Sequence, residues 1–100
     1  MRRAPRHKDG NHAALRAGWR ALGGSWLDII PVSGGEPDAV VGWRGQDRLV
    51  EIKRPDLAPS RRRPRPEQLA WHRSWRGRPV AVVTTVMDLL ALFDESSHAS

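Results

Sequence analysis

The sequence predicts an α/β fold, with a central mixed four-stranded sheet flanked by helices. The first observation behind this prediction is the helical spacing of apolar residues near the N-terminus, and the second is a pair of alternating segments around a Gly-containing turn. The third is a β-branched run near the C-terminus, with one helical segment before it and another after it. The resulting αβββαβ core, with one further helix, favours a sheet that has antiparallel and parallel pairs and helices on both faces.

Local residue types set the bounds of each predicted element. Leu15, Trp19 and Leu22 lie at helical spacing, and Asp9 or Asn11 can cap that helix. Proline favours the first turn of the second helix, and threonine favours the cap of the third. The predicted helices cover residues 11–22, 67–75 and 87–93, and the predicted strands cover residues 26–30, 38–43, 48–53 and 79–84.

Length and composition indicate one small globular domain. The chain has 100 residues, of which 39% are hydrophobic and 28% are charged, and this balance excludes disordered and fibrous classes. The absence of cysteine excludes disulfides, thiolate zinc sites and a cysteine nucleophile. No apolar run suits a membrane span or a signal peptide, so we expect a cytoplasmic protein. We assign residues 1–10 to a basic flexible arm, residues 11–93 to the domain and residues 94–100 to a disordered tail.

The charge of the chain predicts a polyanionic partner. The chain has 17 basic and 11 acidic residues and a net charge of +6 at pH 7, and such an excess most often serves nucleic-acid binding. Arginine outnumbers lysine 15 to 2, a ratio that is also typical of GC-rich coding, so arginine content alone is a weak indication. The same bias makes the position of Lys53, in the second hairpin strand, informative.

The central hairpin gathers charged residues on one face. A turn centred on Gly45 and Gln46 would place Asp38 directly opposite Lys53 and one diagonal step from Glu51. Because side chains alternate along a strand, these three charged residues share a face and the apolar residues share the other. The apolar face carries Ala39, Val41, Trp43, Val50 and Ile52.

Two interpretations of the charged face remain open. Neighbouring carboxylates can hold one Mg²⁺ ion, and burying them beside a lysine is costly unless they pair or bind a metal. The alternative is an ordinary surface hairpin whose Glu51 and Lys53 face solvent. The order Pro37-Asp38 after a Gly-Gly turn, followed in register by Glu51-Ile52-Lys53, favours the functional interpretation.

These residues resemble a known nuclease signature. Pro37-Asp38 with Glu51-Ile52-Lys53 is similar to the PD-(D/E)XK motif, and the surrounding residues resemble its VRR-NUC (virus-type replication-repair nuclease) branch, which is similar to Holliday-junction resolvases. The resemblance extends over nearly the whole chain and implies a restriction-endonuclease-like fold. Its further motifs are Asn11-His12-Ala13-Ala14-Leu15, Gly34-Gly35-Glu36-Pro37-Asp38-Ala39-Val40-Val41-Gly42, Pro66-Glu67-Gln68 and Trp71-His72.

The resemblance implies a role for each polar residue of the signature. Asp38 and Glu51, with the Ile52 carbonyl, would bind Mg²⁺ or Mn²⁺. Lys53 would orient the nucleophile or offset charge that develops in the transition state. Gln68 would position water or phosphate near them, with a local hydrogen bond at the start of its helix as the alternative.

The first helix departs from the family pattern. Many members carry a glutamate there as a further metal ligand, whereas this chain has His12. A histidine can bind a metal, although Mg²⁺ prefers oxygen ligands. His12 is therefore a candidate metal ligand, with a surface or capping role as the alternative.

A basic loop after the Lys53 strand is the candidate DNA contact. Its arginines can reach phosphates that flank the cut, and the alternative is a solvated loop. His72 lies one helical turn from Gln68 and either contacts phosphate or is a half-buried histidine beside Trp71 and Trp75. The candidate DNA-binding residues are Arg54, Arg61, Arg62, Arg63, Arg65 and His72.

The resemblance thus implies a metal-dependent DNA endonuclease that hydrolyses phosphodiester bonds. We expect selectivity for branched or Holliday-junction-like DNA, in replication, repair or recombination. Because symmetric junction resolution needs two active sites, we expect a homodimer. We expect no membrane association, no small-molecule cofactor, and the cytoplasm of a bacterial or phage-infected cell. The alternatives are a non-catalytic basic nucleic-acid-binding module on the same fold, and a nicking or restriction-type nuclease, for which no recognition domain is visible.

Overall fold

The computed structural model describes residues 11–54 and 64–98. The described residues form three helices and four strands, in the predicted order. The predicted arm, residues 1–10, and the arginines at 61–63 lie outside these ranges. The helices are α1 (His12–Ala21), α2 (Pro66–Ser74) and α3 (Val86–His98), and the strands are β1 (Ser25–Asp28), β2 (Ala39–Trp43), β3 (Gln46–Ile52) and β4 (Ala81–Val83).

The four strands form one mixed sheet in the order β1-β2-β3-β4. β1 with β2 and β2 with β3 are antiparallel, whereas β3 with β4 is parallel. α2 lies in the connection between the two parallel strands, as a parallel pair requires a crossover. The predicted α/β class and mixed sheet are confirmed. Among the described helices, none combines the length and the apolar character that crossing a bilayer demands.

The register of the β2–β3 hairpin differs from the predicted one by two residues. Trp43 pairs with Gln46, so the turn consists of Arg44 and Gly45 rather than being centred on Gly45 and Gln46. Both turn residues have positive φ, 49° and 81°, which is typical of the two-residue turn that matches strand twist. The predicted placement of Asp38 directly opposite Lys53 is therefore wrong. A shift of two residues preserves side-chain alternation, so the predicted division into faces is retained.

The two faces of the sheet are covered differently. Val41, Val50 and Ile52 are almost fully buried on one face, together with the side chains that α1 and α3 contribute. Within that core the Trp19 ring stacks on the Phe93 ring, with centroids 5.8 Å apart. α2 lies on the opposite face. The buried hydrophobic core comprises Leu15, Trp19, Trp26, Ala39, Val41, Val50, Ile52, Val83, Leu89 and Phe93.

Helix α3 has the predicted threonine cap, but it begins one residue earlier than predicted, at Val86, and ends later. Thr85 Oγ accepts the N–H of Asp88, and the Asp88 carboxylate accepts the N–H of Thr85, which forms a reciprocal cap. The helix then continues to His98, five residues beyond the predicted end at residue 93. No glycine or proline interrupts residues 94–98, so the chain there retains helix-compatible residues.

Candidate active site

One end of the sheet collects the polar residues that the sequence analysis singled out. β1, β3 and β4 end there and β2 begins there, because β2 alone runs in the opposite direction. The residue before α1 is fixed to the same end: Asn11 Nδ2 donates to the Lys53 carbonyl at 3.2 Å and to the Thr84 carbonyl at 2.8 Å. The start of α1 is thus tied to the ends of β3 and β4.

The loop that leads into Asp38 is a rigid turn. The Glu36 carboxylate accepts backbone N–H groups of Val32, Ser33 and Gly34. Desolvation opposes ionisation of Glu36, but these donors outweigh it and lower the pKa of Glu36 to about 2. Glu36 therefore organises the loop as an anion.

Gly35 allows this turn to contact α2. A Cβ atom at this position would lie 2.6 Å from the Glu67 carbonyl oxygen and 3.1 Å from Trp71 Cβ. Only glycine fits so close to the backbone of another element. The Gly-Gly turn noted in the sequence thereby fixes α2 next to Asp38.

The Asp38 side chain supplies a hydrogen-bond acceptor for β3 at the start of β2. Its N–H donates to the Val50 carbonyl at 3.0 Å, and its Oδ2 accepts the N–H of Ile52 at 2.7 Å. The second contact holds the carboxylate beside the chain segment that carries Glu51 and Lys53. Asp38 is half-exposed, so solvent and solutes can reach this carboxylate.

Glu51 is a buried acid with an incomplete set of partners. Only 2% of the residue is exposed. Its Oε2 accepts Gln68 Nε2 at 2.6 Å and lies 3.4 Å from Lys53 Nζ. Its Oε1 is buried and has no hydrogen-bond partner within the part of the chain that the structure describes.

Burial, reinforced by the charge of Asp38, raises the pKa of Glu51 to about 7. Lys53 and the Gln68 hydrogen bond oppose this rise without cancelling it. Two acids and one lysine at such close quarters leave an excess of negative charge that a cation would relieve.

Gln68 makes the local hydrogen bond considered as the alternative and also contacts Glu51. Its Oε1 accepts the N–H of Arg65, the residue that precedes α2, at 2.9 Å. A backbone N–H can only donate, so the amide oxygen must face it and Nε2 must point the other way, towards Glu51. The local hydrogen bond thus orients the amide that contacts the buried acid.

His72 lies one turn further along α2 and is half-buried. Burial, and then the nearby charge of Lys53, lowers the pKa of His72. Its Nε2 is buried and has no hydrogen-bond partner among the described residues. A neutral imidazole brings no charge to a phosphate, so a DNA contact here would be a hydrogen bond rather than an ion pair.

His12 is not brought together with the two acids. Its Nε2 lies 2.8 Å from Asp28 Oδ1, and its ring packs edge-on against Trp26. The described residues contain no group of three or more His, Asp or Glu side chains that could hold one metal ion. The structure therefore gives His12 a hydrogen-bond partner in β1 rather than a place beside Asp38 and Glu51.

The predicted basic residues are placed only in part. Arg54 is exposed just after β3. Arg65 is exposed at the start of α2, where its Nε lies 3.2 Å from Glu67 Oε2. Arg61, Arg62 and Arg63 lie outside the described residues.

Two further residues help to build this end of the sheet. Asn11 was predicted as a possible cap, but its side chain makes no cap hydrogen bond. It donates instead to the two carbonyls that directly follow β3 and β4. Asp28 receives Trp26 Nε1 at 2.9 Å as well as His12 and Arg16. Apart from the Trp26 contact within β1, these partners have no sequence signal, because the contacts join distant parts of the chain.

The metal ligands that the residues offer are oxygens. Asp38 and Glu51 provide carboxylates, and the Ile52 carbonyl directly follows Glu51 in the chain. The buried Glu51 Oε1 without a partner and the raised pKa of the same acid both fit a cation that the protein alone does not supply. Hard divalent cations such as Mg²⁺ prefer this donor type.

No protein-family model matches the chain, and neither a curated protein nor a solved structure is significantly similar to it. The arguments for a function therefore rest on the motif residues and on the geometry of this site.

Proposed function

We propose that this protein is a metal-dependent DNA endonuclease of the PD-(D/E)XK type, with the VRR-NUC branch as the family it resembles. One observation carries the proposal. Glu51 is a buried acid held by Gln68 and Lys53 beside Asp38, with one carboxylate oxygen that has no hydrogen-bond partner among residues 11–54 and 64–98. A surface hairpin would not bury an acid in this state, because the desolvation cost would be uncompensated.

Asp38, Glu51 and the Ile52 carbonyl are the groups that would hold Mg²⁺ or Mn²⁺. When bound, such an ion polarises a phosphodiester and acidifies a bound water. Asp38 would contribute a half-exposed carboxylate and Glu51 a buried one. The Ile52 N–H bond to Asp38 keeps the two acids at the same level of the sheet.

Lys53 and Gln68 act through position and charge. The Lys53 side chain is 14% exposed, so its ammonium lies at the border between Glu51 and solvent, where a phosphate would arrive. There it can offset negative charge that develops during cleavage. Gln68 holds Oε2 of the Glu51 carboxylate by its 2.6 Å hydrogen bond, and so leaves the buried Oε1 for a cation.

The substrate class follows from the charge of the chain and from the family resemblance. A net charge of +6 favours a polyanion, and phosphate contacts by exposed arginines such as Arg54 and Arg65 carry no sequence information. Selectivity would then come from DNA shape, and branched DNA is the substrate we propose.

Cutting a symmetric junction requires a second active site, which a homodimer would supply. The β1 edge of the sheet offers a surface for a second copy. Leu27 is 66% exposed in β1, and Ile30 and Val32, which follow it, are 86% and 93% exposed. Three large apolar side chains exposed along one edge are unusual for a surface that stays in water.

A non-catalytic DNA-binding module on the same fold is the second candidate. The observation that favours it is that only two acids meet in the described part of the site, without a third acidic or histidine side chain. A module of this kind would bind DNA through its arginines and would not need divalent ions.

The test is cleavage of matched labelled substrates: a four-way junction, a flap, a single strand and a linear duplex, each in Mg²⁺, in Mn²⁺ and in EDTA. We expect metal-dependent cutting, strongest on the branched substrates and lost in Glu51→Gln. Asp94→Asn, an exposed acid in α3, is the matched control and should cut like the parent protein.

Two outcomes would contradict the proposal. Salt-sensitive binding without cutting in either metal would favour the binding module. Cutting that persists in Glu51→Gln would show that another site, or a contaminant, performs the reaction. Preferred cutting at one sequence of the linear duplex would retain a nuclease but replace the branched substrate with a restriction-type one.

A further inference from the structure

The sheet face that carries Glu51 continues into an open groove. The groove has a volume of about 350 Å³, near the lower end of the range of about 300–1,000 Å³ that is typical of ligand pockets. It has room for one flat group rather than for a duplex. Its lining residues are Val40, Asp47, Arg48, Leu49, Trp75, Gly77 and Arg78.

The groove adjoins Asp38 and Glu51 on the same face of the sheet. Val40 and Leu49 pair across the hairpin and form part of its lining. Val40 lies two residues after Asp38 and Leu49 two residues before Glu51, so all four share a face. Two residues along a strand cover roughly 7 Å, so a ligand in the groove adjoins a phosphate at the acids.

An indole ring stands at the groove. The Trp75 ring stacks on the Trp71 ring of α2, with centroids 5.2 Å apart and planes at 12°. Trp75 is nevertheless 45% exposed. Gly77 lies against its edge, since a Cβ there would be 2.7 Å from Trp75 Nε1. The indole is thus held from two sides and still presents aromatic surface.

One cation and one acid lie in the lining near the hairpin turn. Arg78 contributes a guanidinium group and Asp47 a carboxylate, whereas the Arg48 guanidinium donates to the Leu92 and Pro79 carbonyls at 3.5 Å and 3.3 Å. Arg78 Nη2 donates to Gln46 Oε1 at 3.0 Å, which keeps this guanidinium near the hairpin turn. Apolar side chains, an exposed indole and one guanidinium match a nucleotide, whose base is apolar on its faces and whose phosphates are anionic.

We propose that this groove binds one unpaired base of the DNA, stacked against Trp75, next to the phosphate that lies at Asp38 and Glu51. The proposal rests on the proposed function, because it assigns the substrate of the same site: DNA with an unpaired or unstacked nucleotide at the cut. A second copy of the chain fits the groove less well. A two-fold contact through it would bring the Arg78 guanidinium groups of both copies into one interface, which like charges oppose.

The test is DNA binding without cleavage, measured by fluorescence anisotropy in EDTA with labelled single-stranded, forked and fully paired oligonucleotides. Base stacking on an aromatic side chain predicts that Trp75→Ala weakens single-strand and fork binding by about 5- to 150-fold. Duplex binding should stay nearly unchanged. Trp75→Phe should restore most of the affinity, and Gly77→Ala, which displaces the indole, should resemble Trp75→Ala.

Met87→Ala is the matched control, because Met87 is 71% exposed on α3, away from the groove. Equal losses on duplex and single strand, or no loss in Trp75→Ala, would overturn the proposal. So would a change of sedimentation mass in Trp75→Ala, which would make a second copy the occupant. Glu51→Gln should retain the Trp75-dependent binding, because the groove does not include Glu51. If the parent protein shows this binding but never cuts DNA, the nuclease proposal is refuted and the groove assignment stands.

Discussion

The two faces of the β2–β3 hairpin are built from alternate residues of the same strands, yet they serve different ends. Val50 and Ile52 point into a face where α1 and α3 bury almost every side chain. Glu51, between them, points to the other face, where α2 covers the acids and leaves Leu49 half-exposed. A strand with a period of two can therefore deliver stability and chemistry from adjacent positions.

The apolar face explains how the protein can bury Glu51 despite the loss of stability that this causes. A buried acid with a raised pKa destabilises the folded state at neutral pH. In a domain of this size the apolar face must offset that cost, since total stability is only about 5–15 kcal/mol. Substitutions on the two faces should consequently separate stability from activity.

The largest effect is expected on the apolar face. Ile52→Ala removes a side chain that is 1% exposed and should lower the free energy of unfolding by about 2–5 kcal/mol, because a cavity remains among the core side chains. Ile52→Val is the control and should cost about 0.5–1.5 kcal/mol. Urea unfolding measures both. A loss below that of Ile52→Val would mean that the core relaxes around the cavity and that the face is less tightly packed than described.

The next effect concerns Lys53 on the other face. Lys53→Gln should lower the cleavage rate by about 10²- to 10³-fold, as expected for loss of a group that offsets transition-state charge. Lys53→Arg should not restore it, because a guanidinium places its charge and donors differently. Single-turnover cleavage measures the rate. Arg54→Gln, at the exposed neighbouring residue, is the comparison variant. It should weaken DNA binding in a salt-dependent way and leave the cleavage rate of bound DNA unchanged. Equal rates for Lys53→Gln and the parent would remove Lys53 from the mechanism.

The pH dependence of stability comes third. The folded protein holds a proton at Glu51 that the unfolded chain releases, because the pKa of Glu51 rises from 4.5 to about 7 on folding. In EDTA, the contribution of Glu51 to stability should therefore be fully present below pH 4.5 and fall by on the order of 2 kcal/mol as pH rises through 7.

Glu51→Gln should flatten this fall, since it removes the titrating group. Thermal unfolding from pH 4 to pH 9 gives the comparison. The lowered pKa values of Asp28 and Glu36, both about 2, act below pH 4 and in the opposite direction, so they do not obscure it. The same slope in parent and variant would place the proton elsewhere.

The sequence predicted the faces of the hairpin better than its register. A register error of two residues does not change which side chains share a face, because side chains alternate with a period of two. Asp38, Glu51 and Lys53 were therefore assigned to one face correctly even though the turn was misplaced. The turn itself depends on Arg44 at a φ of 49°, a conformation that non-glycine residues seldom adopt. An arginine in the sequence does not predict this positive φ.

Contacts between elements were the least predictable part of the site. Gln68 could be assigned to Glu51 only through a resemblance, and the 2.6 Å hydrogen bond depends on the close approach of α2 at Gly35. His12 and Asp28 are separated by 16 residues and lie in different elements. No periodicity connects them, so the sequence suggested a metal ligand at His12, where the structure has a hydrogen bond to Asp28.

The smallest predicted effect distinguishes these two interpretations of His12. Partial burial favours a neutral Asp28, but hydrogen bonds from Trp26 and His12 and the charge of Arg16 prevail and lower the pKa of Asp28 to about 2. Asp28→Asn should then cost about 1 kcal/mol at neutral pH, the size expected for partly exposed charged contacts.

Asp28→Asn should also leave the Mg²⁺ and Mn²⁺ dependence of cleavage nearly unchanged, since Asp28 contacts neither Asp38 nor Glu51 in the described structure. If His12 were instead a metal ligand, Asp28 would be the carboxylate that orients its ring, and losing such a partner typically weakens metal affinity by about 10- to 100-fold. Metal titration of the cleavage rate in parent and variant decides this, because a shift of that size, larger for Mn²⁺ than for Mg²⁺, would return His12 to the metal site.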